Sequence, residues 1–411
     1  MTEKIYYKFI QFALGTYEGK EFLDGSALNG FDWQRFYDFA KKQTLEGIIM
    51  EGISRLPKAV APKQGLLMNW FMMSQNISRQ NMMLNAATAE IYNKVKVAGY
   101  DCCILKGQAN AAMYANPATR TPGDVDMWVD ASREEIRQLA QTLAKENGRI
   151  DEESYNHIAL TTNGISVELH YTPGFMANFT YNRRLQQWFR ESIDAQCRNM
   201  IALPDEAGEV AAPTAAFNAV YQLYHLYHHY FYEGVGLRQV VDYYYVILNF
   251  ELGVLNCRLR DEELKNCKLE TQNSKLNNSK SAKPTIQNSK LKTQNSLKRL
   301  GLWHFAGAMM YVLHEVLGLP EEKMIAPMDK KRGEMLLNDI LCGGNFGHHD
   351  ERHAWGRDTY DGNGFKHGAL GHNLLRLHRD LRLLKYYPSE ALSEPIFRLW
   401  HYYWRWKIHQ L

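Results

Sequence analysis

The stretch ILKGQANAAMYANPATRTPGDVDMWVD (residues 104–130) decides how the chain is read. It ends with Asp124 and Asp126 on either side of one valine, running directly into Met127-Trp128-Val129, an apolar run that reads as a buried strand. Period two puts both carboxylates on one face of such a strand, while Val125 and Met127 point to the other. Two carboxylates about 7 Å apart along a half-buried strand repel each other unless a cation sits between them, and a hard divalent ion with oxygen ligands meets that need. A bare D-x-D at a solvated strand end is the plainer alternative. The context favours the ion: Lys106-Gly107 closes one strand, a helix opens at Gly107, and Arg120 and Gly123 precede the aspartates. Free N–H groups at a glycine-headed turn bind phosphate, and Lys106 and Arg120 can add charge-assisted bonds.

Outward from this stretch, the spacing predicts a strand over DCCIL (101–105), a helix over GQANAAMYA (107–115) and a strand over DVDMWV (124–129). A helix follows over 132–147, with Ser132 as its cap and acids in its first turn. YNHIALTTNGISVELHY (155–171) is then two alternating runs around Asn163-Gly164, a strong hairpin signal. A two-residue turn there pairs Thr162 with Ile165, Leu160 with Val167, Ala159 with Glu168, and His157 with His170. One face carries Ile158, Leu160, Ile165, Val167 and Leu169; the other carries His157, Ala159, Ser166, Glu168 and His170. Glu168 thus stands as a third carboxylate, flanked by two histidines and opposite a small alanine.

The surroundings of this α/β unit read as helical. The domain organisation expected is a helical region over 1–98, the α/β core over 99–172, a helical region over 173–267, a disordered low-complexity insertion over 268–298 and a helical region over 299–411. The methionines of residues 66–99 read as core filler rather than a binding surface. Residues 265–299 hold eight lysines and Arg299 against one acid, a net of +8. The whole chain carries only +3, so the remainder is about 3 − 8 = −5, and no strong field points to nucleic acid or membrane. The six cysteines show no CxxC pair, and the first residues lack an apolar signal segment, so a reducing, cytoplasmic setting without a membrane is expected.

The motifs together resemble a known family. ILKG (104–107), RTPGDVDMWV (120–129), HIAL (157–160) and VELHY (167–171) look like the uncharacterised nucleotidyltransferase family marked by LKG, D-x-D and ELH motifs. That family lies within the DNA-polymerase-β-like nucleotidyltransferase superfamily. YQLYHLYHHY (221–230), GVGLRQVVDY (234–243) and GGNFGHHD (343–350) also look like bacterial members of it. Gly107-Gln108 stands where the wider superfamily has Gly-Ser or Gly-Gly.

The resemblance implies an α+β fold, a polymerase-β-like core with a small mixed sheet embedded in mostly helical regions. It implies Asp124, Asp126 and Glu168 as metal-binding and catalytic carboxylates for Mg²⁺ or Mn²⁺. Lys106, Gly107, Gln108, Arg120, His157 and His170 are the candidate nucleotide contacts, and His225, Arg238 and Asp242 are expected to face the cleft. The activity implied moves a nucleoside monophosphate from a triphosphate, ATP foremost, to a hydroxyl on an unidentified small molecule, protein or RNA. Non-catalytic nucleotide or RNA binding by the same fold, and a zinc hydrolase built on the histidines, are the rival readings.

Outside the core, Arg238 and Asp242 read as an i, i+4 helix ion pair, and His225 and His229 as histidines packed among tyrosines. His348, His349 and His353 are weaker candidates for substrate contact. Trp400, Tyr403 and Trp404 read as one buried helical stripe. Asp126→Asn is expected to leave the fold intact, and even to stabilise it by relieving like-charge repulsion.

Overall fold

The structure, a computed structural model, describes residues 2–145, 147–254, 278–347, 359–360, 365–366 and 369–409. Four helices open the chain: α1 (Thr2–Leu14), α2 (Lys20–Leu23), α3 (Trp33–Gln43) and α4 (Glu46–Ser54). The long α5 (Gln64–Val97) follows and buries Trp70, Ile77, Leu84, Ile91 and Val95 at near-heptad spacing. Met68, Met72, Met82 and Met83 of α5 are each more than half exposed, so the expectation of methionine core filler is corrected. The inward stripe is already filled by Trp, Ile, Leu and Val, which leaves these methionines on the opposite face.

The central sheet comprises β1 (Cys102–Ile104), β2 (Val125–Val129), β3 (Gly148–Glu153), β4 (His157–Thr162) and β5 (Ile165–His170). Its spatial order is β1-β2-β5-β4-β3. All neighbours run antiparallel except β2 and β5, which are parallel, so the sheet is mixed. The helix after β1, α6 (Gln108–Ala111), is shorter than its expected span of 107–115. Beyond it the bonds tighten to i→i+3, and Tyr114 is held by Asp242. Helix α7 (Arg133–Ala144) starts on a capping box between Ser132 and Glu135.

In the β4–β5 hairpin, Thr162 faces Ile165, Ala159 faces Glu168 and His157 faces His170. Asn163 and Gly164 both take positive φ, as this turn demands. Strand β3 carries no apolar alternation. It is a charged edge strand (GRIDEE), a composition that discourages further strand addition and hides it from a search for buried strands.

The two faces of the sheet meet different partners. Val125, Met127, Ile158, Leu160, Val167 and Leu169 join Ile136 of α7 and Tyr92 of α5 in one apolar cluster. On the other face Trp128 packs against Phe189 at 5.8 Å and Phe217 at 5.9 Å. Those rings come from α8 (Phe179–Cys197) and α9 (Ala215–Tyr232), with a small ribbon, β6 (Met200–Ala202) and β7 (Glu209–Ala211), lying between them in sequence. After α9 the chain breaks at Gly234-Val235-Gly236 and resumes as α10 (Leu237–Leu248).

Residues 278–298, expected to be disordered, belong to α11 (Asn278–Arg299), and residues 268–277 lie outside the described residues. Thr293 and Leu297 of α11 are buried, and the Gln294 side chain donates to the Ile325 carbonyl. A polar composition did not prevent ordering because one narrow stripe sufficed to seat the helix on α9 and its neighbours.

Beyond α11 come α12 (Trp303–Leu317), α13 (Lys330–Gly343), the two-residue strands β8 (Thr359–Tyr360) and β9 (Phe365–Lys366), α14 (Ala369–Leu383) and α15 (Pro388–His409). On α15 the inward residues are Phe397, His401 and Trp404, while Tyr403 is exposed, which corrects the expected stripe. No helix among the described residues is long and apolar enough to cross a membrane.

The packing of α11 gives a direct test. Leu297→Ala removes a fully buried side chain and is expected to lower unfolding free energy by about 2–5 kcal/mol in urea denaturation. A loss below about 0.5 kcal/mol, the range of an ordinary surface substitution, would show that α11 does not pack.

Candidate active site

The parallel pairing of β2 with β5 builds the site. It sets Asp126 directly beside Glu168 and Trp128 beside His170. Asp124 precedes β2, two residues before Asp126. The carboxylate oxygens of Asp124, Asp126 and Glu168 lie within 4.8 Å of one another. A second group, His157, Glu168 and His170, meets the same limit, so Glu168 belongs to both.

Three carboxylates this close need positive charge, and the protein supplies it from just beyond β1 and from β5. Lys106, two residues beyond β1, donates through Nζ to Asp126 Oδ1 at 3.0 Å. His170 Nε2 lies 3.2 Å from the same oxygen and 3.2 Å from Glu168 Oε2. Burial disfavours the charged Lys106, but Asp124, Asp126 and Glu168 outweigh it and hold the ammonium above its ordinary range. Burial also works against the His170 imidazolium, yet its bonds to Asp126 and Glu168 raise it to about 9. Glu168 moves the other way: burial opposes its ionised form, and the His170 bond and charge overcome that and lower it. His157 is lowered to about 4 by burial and by the neighbouring His170.

This geometry adds contacts that the expectation for Asp126→Asn left out. Asp126 Oδ1 receives both Lys106 and His170, so removing its charge takes away attraction to them along with repulsion from Asp124 and Glu168. Asp126 Oδ2 is buried and has no hydrogen-bond partner. An oxygen-only donor set with one orphaned buried oxygen suits a hard divalent cation.

The remaining candidates separate by what already engages them. Gly107, at φ +64°, lets the chain turn where a Cβ would stand 3.2 Å from the Asp124 carbonyl. Gln108 turns its side chain to Asn85 of α5, so what it can offer a phosphate is its backbone N–H. Arg120 donates from Nε and Nη2 to the two oxygens of Asp242 at 2.8 and 2.9 Å, in a buried bidentate pair. Only its Nη1 is unpartnered. Asp242 also accepts from the Tyr114 hydroxyl at 2.6 Å, and burial, which opposes its ionised form, is outweighed by Arg120, so its carboxyl is lowered.

The expected helix pair of Arg238 with Asp242 is therefore replaced by Arg120 with Asp242. Arg238 instead donates to the Thr121 carbonyl at 2.8 Å and lies against Gly123. His225 is 2.9 Å from His229, Nε2 to Nε2, and stacks on Tyr221. His348, His349 and His353 lie outside the described residues.

Lys106, Asp124, Asp126, Arg238, His225 and Asp242 share one cavity of about 40 Å3, which Phe346 also lines. Phe346 sits in the GNFG turn (344–347), whose glycines press on the α9–α10 junction: a Cβ on Gly347 would stand 2.4 Å from the Glu233 carbonyl. Sequence reasoning passed over Phe346, and no spacing rule links it to residues so far upstream.

Residues 29–275 match the model of a family described as uncharacterised nucleotidyltransferases. No curated protein and no solved structure matches the chain.

The Arg120–Asp242 pair carries a prediction. Asp242→Ala leaves a buried guanidinium without its partner and is expected to cost about 3–5 kcal/mol of stability, read by urea denaturation. A loss under about 1 kcal/mol would assign the pair no more weight than an exposed one.

Proposed function

The chain belongs to the uncharacterised nucleotidyltransferase family, and from that premise we propose that it moves a nucleoside monophosphate from a triphosphate, ATP foremost, to a hydroxyl acceptor. One observation carries this reading: three carboxylates, on β2, on β5 and just before β2, converge within 4.8 Å, with Lys106 among them. Asp124, Asp126 and Glu168 would hold Mg²⁺ or Mn²⁺, which supplies positive charge to the phosphate oxygens and to the attacking oxygen when bound.

The chain's own groups do the rest. Lys106 leaves the carboxylates for the phosphate oxygens as the nucleotide arrives, carrying its charge from one anion to another. The Gln108 backbone N–H, which no carbonyl of the turn engages, faces the phosphates, and Glu168, the most accessible of the carboxylates that touch His170, takes the acceptor proton. His170 orients Glu168. Arg238 and the free Nη1 of Arg120 add positive charge along the cavity wall.

The present cavity, about 40 Å3, is far below the roughly 300–1,000 Å3 of ligand pockets, so nucleotide binding moves Phe346 outward. The acceptor is a hydroxyl on a small molecule, protein or RNA. The unpaired buried Cys102 and Cys103 suit a reducing compartment, and we place the reaction in the cytoplasm.

Asp124→Asn is the cleanest probe, because Asp126 and Glu168 remain to balance Lys106 and His170. It is expected to reduce nucleotide transfer at least about 100-fold and to weaken magnesium-dependent ATP binding by calorimetry, with little change in Tm. Glu168→Gln is expected to lose transfer as well. Wild-type ATP affinity that is the same with and without Mg²⁺, or undiminished in Asp124→Asn, would overturn the reading.

A further inference from the structure

We propose that His157, Glu168 and His170 form a distinct binding site for a borderline divalent transition ion of the Zn²⁺ or Co²⁺ class. This site goes beyond nucleotidyl transfer: it shares Glu168 with the carboxylate cluster but depends on no nucleotide chemistry.

The geometry is the first support. Ligand atoms about 2.1 Å from a tetrahedral ion stand about 3.4 Å from one another. One ligand atom from each of the three residues falls within 4.8 Å of the others; His157 Nε2 lies 3.6 Å from Glu168 Oε1, and His170 Nε2 lies 3.2 Å from the other oxygen, Oε2. The 3.6 Å approach is too long for a hydrogen bond, so the His157 nitrogen closes on the carboxylate without bonding to it. The two rings, from residues directly opposed on β4 and β5, stand 5.0 Å apart between centroids. The position facing Glu168 is Ala159, whose methyl leaves the space between the rings open.

The second support is how the rings are held. His157 Nδ1 meets the Ser154 hydroxyl at 3.2 Å, a group that can accept its proton and leave Nε2 free to ligate, while the Asn156 side-chain nitrogen stands 3.4 Å from His170 Nδ1. An imidazole that ligates through one nitrogen characteristically donates through the other to a polar neighbour, as His157 can to Ser154. Ser154 and Asn156 lie in the short β3–β4 turn, so one loop orients both rings with Nε2 inward. Ligation requires His170 to give up its Nε2 proton, and the ion then supplies the positive charge that the proton brought to Glu168.

The donor set fixes the chemical class. Two imidazoles and one carboxylate favour borderline ions, whereas magnesium prefers oxygens alone. The same set leaves a fourth position open to water or to an oxygen of a ligand. The two groups of ligands are therefore sorted by hardness: oxygens on the Asp124 side, nitrogens on the His157 side.

The experiment uses the full, untagged chain without nucleotide, titrated with Co²⁺ and followed by its visible absorption, with bound metal counted by elemental analysis. One site is expected to fill with the visible bands of nitrogen-ligated cobalt, and a large excess of Mg²⁺ is expected not to displace it. His157→Ala, a partly exposed position, is expected to lower cobalt affinity at least about 10-fold with an unchanged circular dichroism spectrum. Asp124→Asn is expected to keep cobalt binding, although it loses magnesium-dependent ATP binding if the transferase reading holds. Cobalt affinity unaltered in His157→Ala, displacement by Mg²⁺, or loss in Asp124→Asn with retention in His157→Ala would each overturn the site. None of these outcomes depends on observing transfer, so failure of the site and failure of the transferase reading remain distinguishable.

Discussion

A buried carboxylate that must be neutralised where water cannot reach it sets the terms for the rest of this molecule. Asp126 is 1% exposed, sits beside Glu168 in register, and has Asp124 two residues away. An uncompensated buried charge costs several kcal/mol, on the order of the whole stability of a domain. The architecture answers by bringing Lys106 from just beyond β1 and His170 from the end of β5 to one carboxylate oxygen. Strand order, the parallel pairing and the hairpin register all serve that convergence. A one-residue slip in the hairpin would turn Glu168 and both histidines to the apolar face and leave Lys106 facing Asp124 and Asp126 without them.

A second neutralised anion ties this centre to the helices. Asp242 on α10 accepts from Arg120 and Tyr114, which lie in the connection between α6 and β2. That connection has little regular structure, and the ion pair holds it in place just before the D-x-D strand. Arg238, one turn before Asp242 on α10, fastens the same connection through the Thr121 carbonyl. The chain leading to Asp124 is thereby clamped at two points by one helix, which keeps the carboxylates from swinging with a loop.

The parts of this arrangement legible in the sequence were those governed by short periods. Alternation around Asn163-Gly164 defined the hairpin and its faces, and D-x-D placed two carboxylates together. Partners distant in sequence were not legible. Asp242 has Arg238 one helical turn away and Arg120 far upstream, and local spacing favoured the wrong one. Strand β3 escaped because an edge strand keeps charge where a central strand keeps valine. Helix α11 escaped because composition weighs a whole segment, whereas Thr293 and Leu297 needed only one line of burial along it. The methionines of α5 misled in the other direction, since apolar character does not say which face of a helix it occupies.

The single parallel pairing in the sheet also has a consequence in time. The β4–β5 hairpin closes over two residues, an event of about 1–10 µs for an isolated hairpin. Strand β2 reaches β5 only through a crossover that includes α7, β3 and β4, and such non-local closure is slow. The Asp126–Glu168 pairing is thus a closure of long sequence separation, whose loop-entropy cost is larger than that of the hairpin beside it. Contact order alone sets the meeting of these like charges among the slower closures of the sheet.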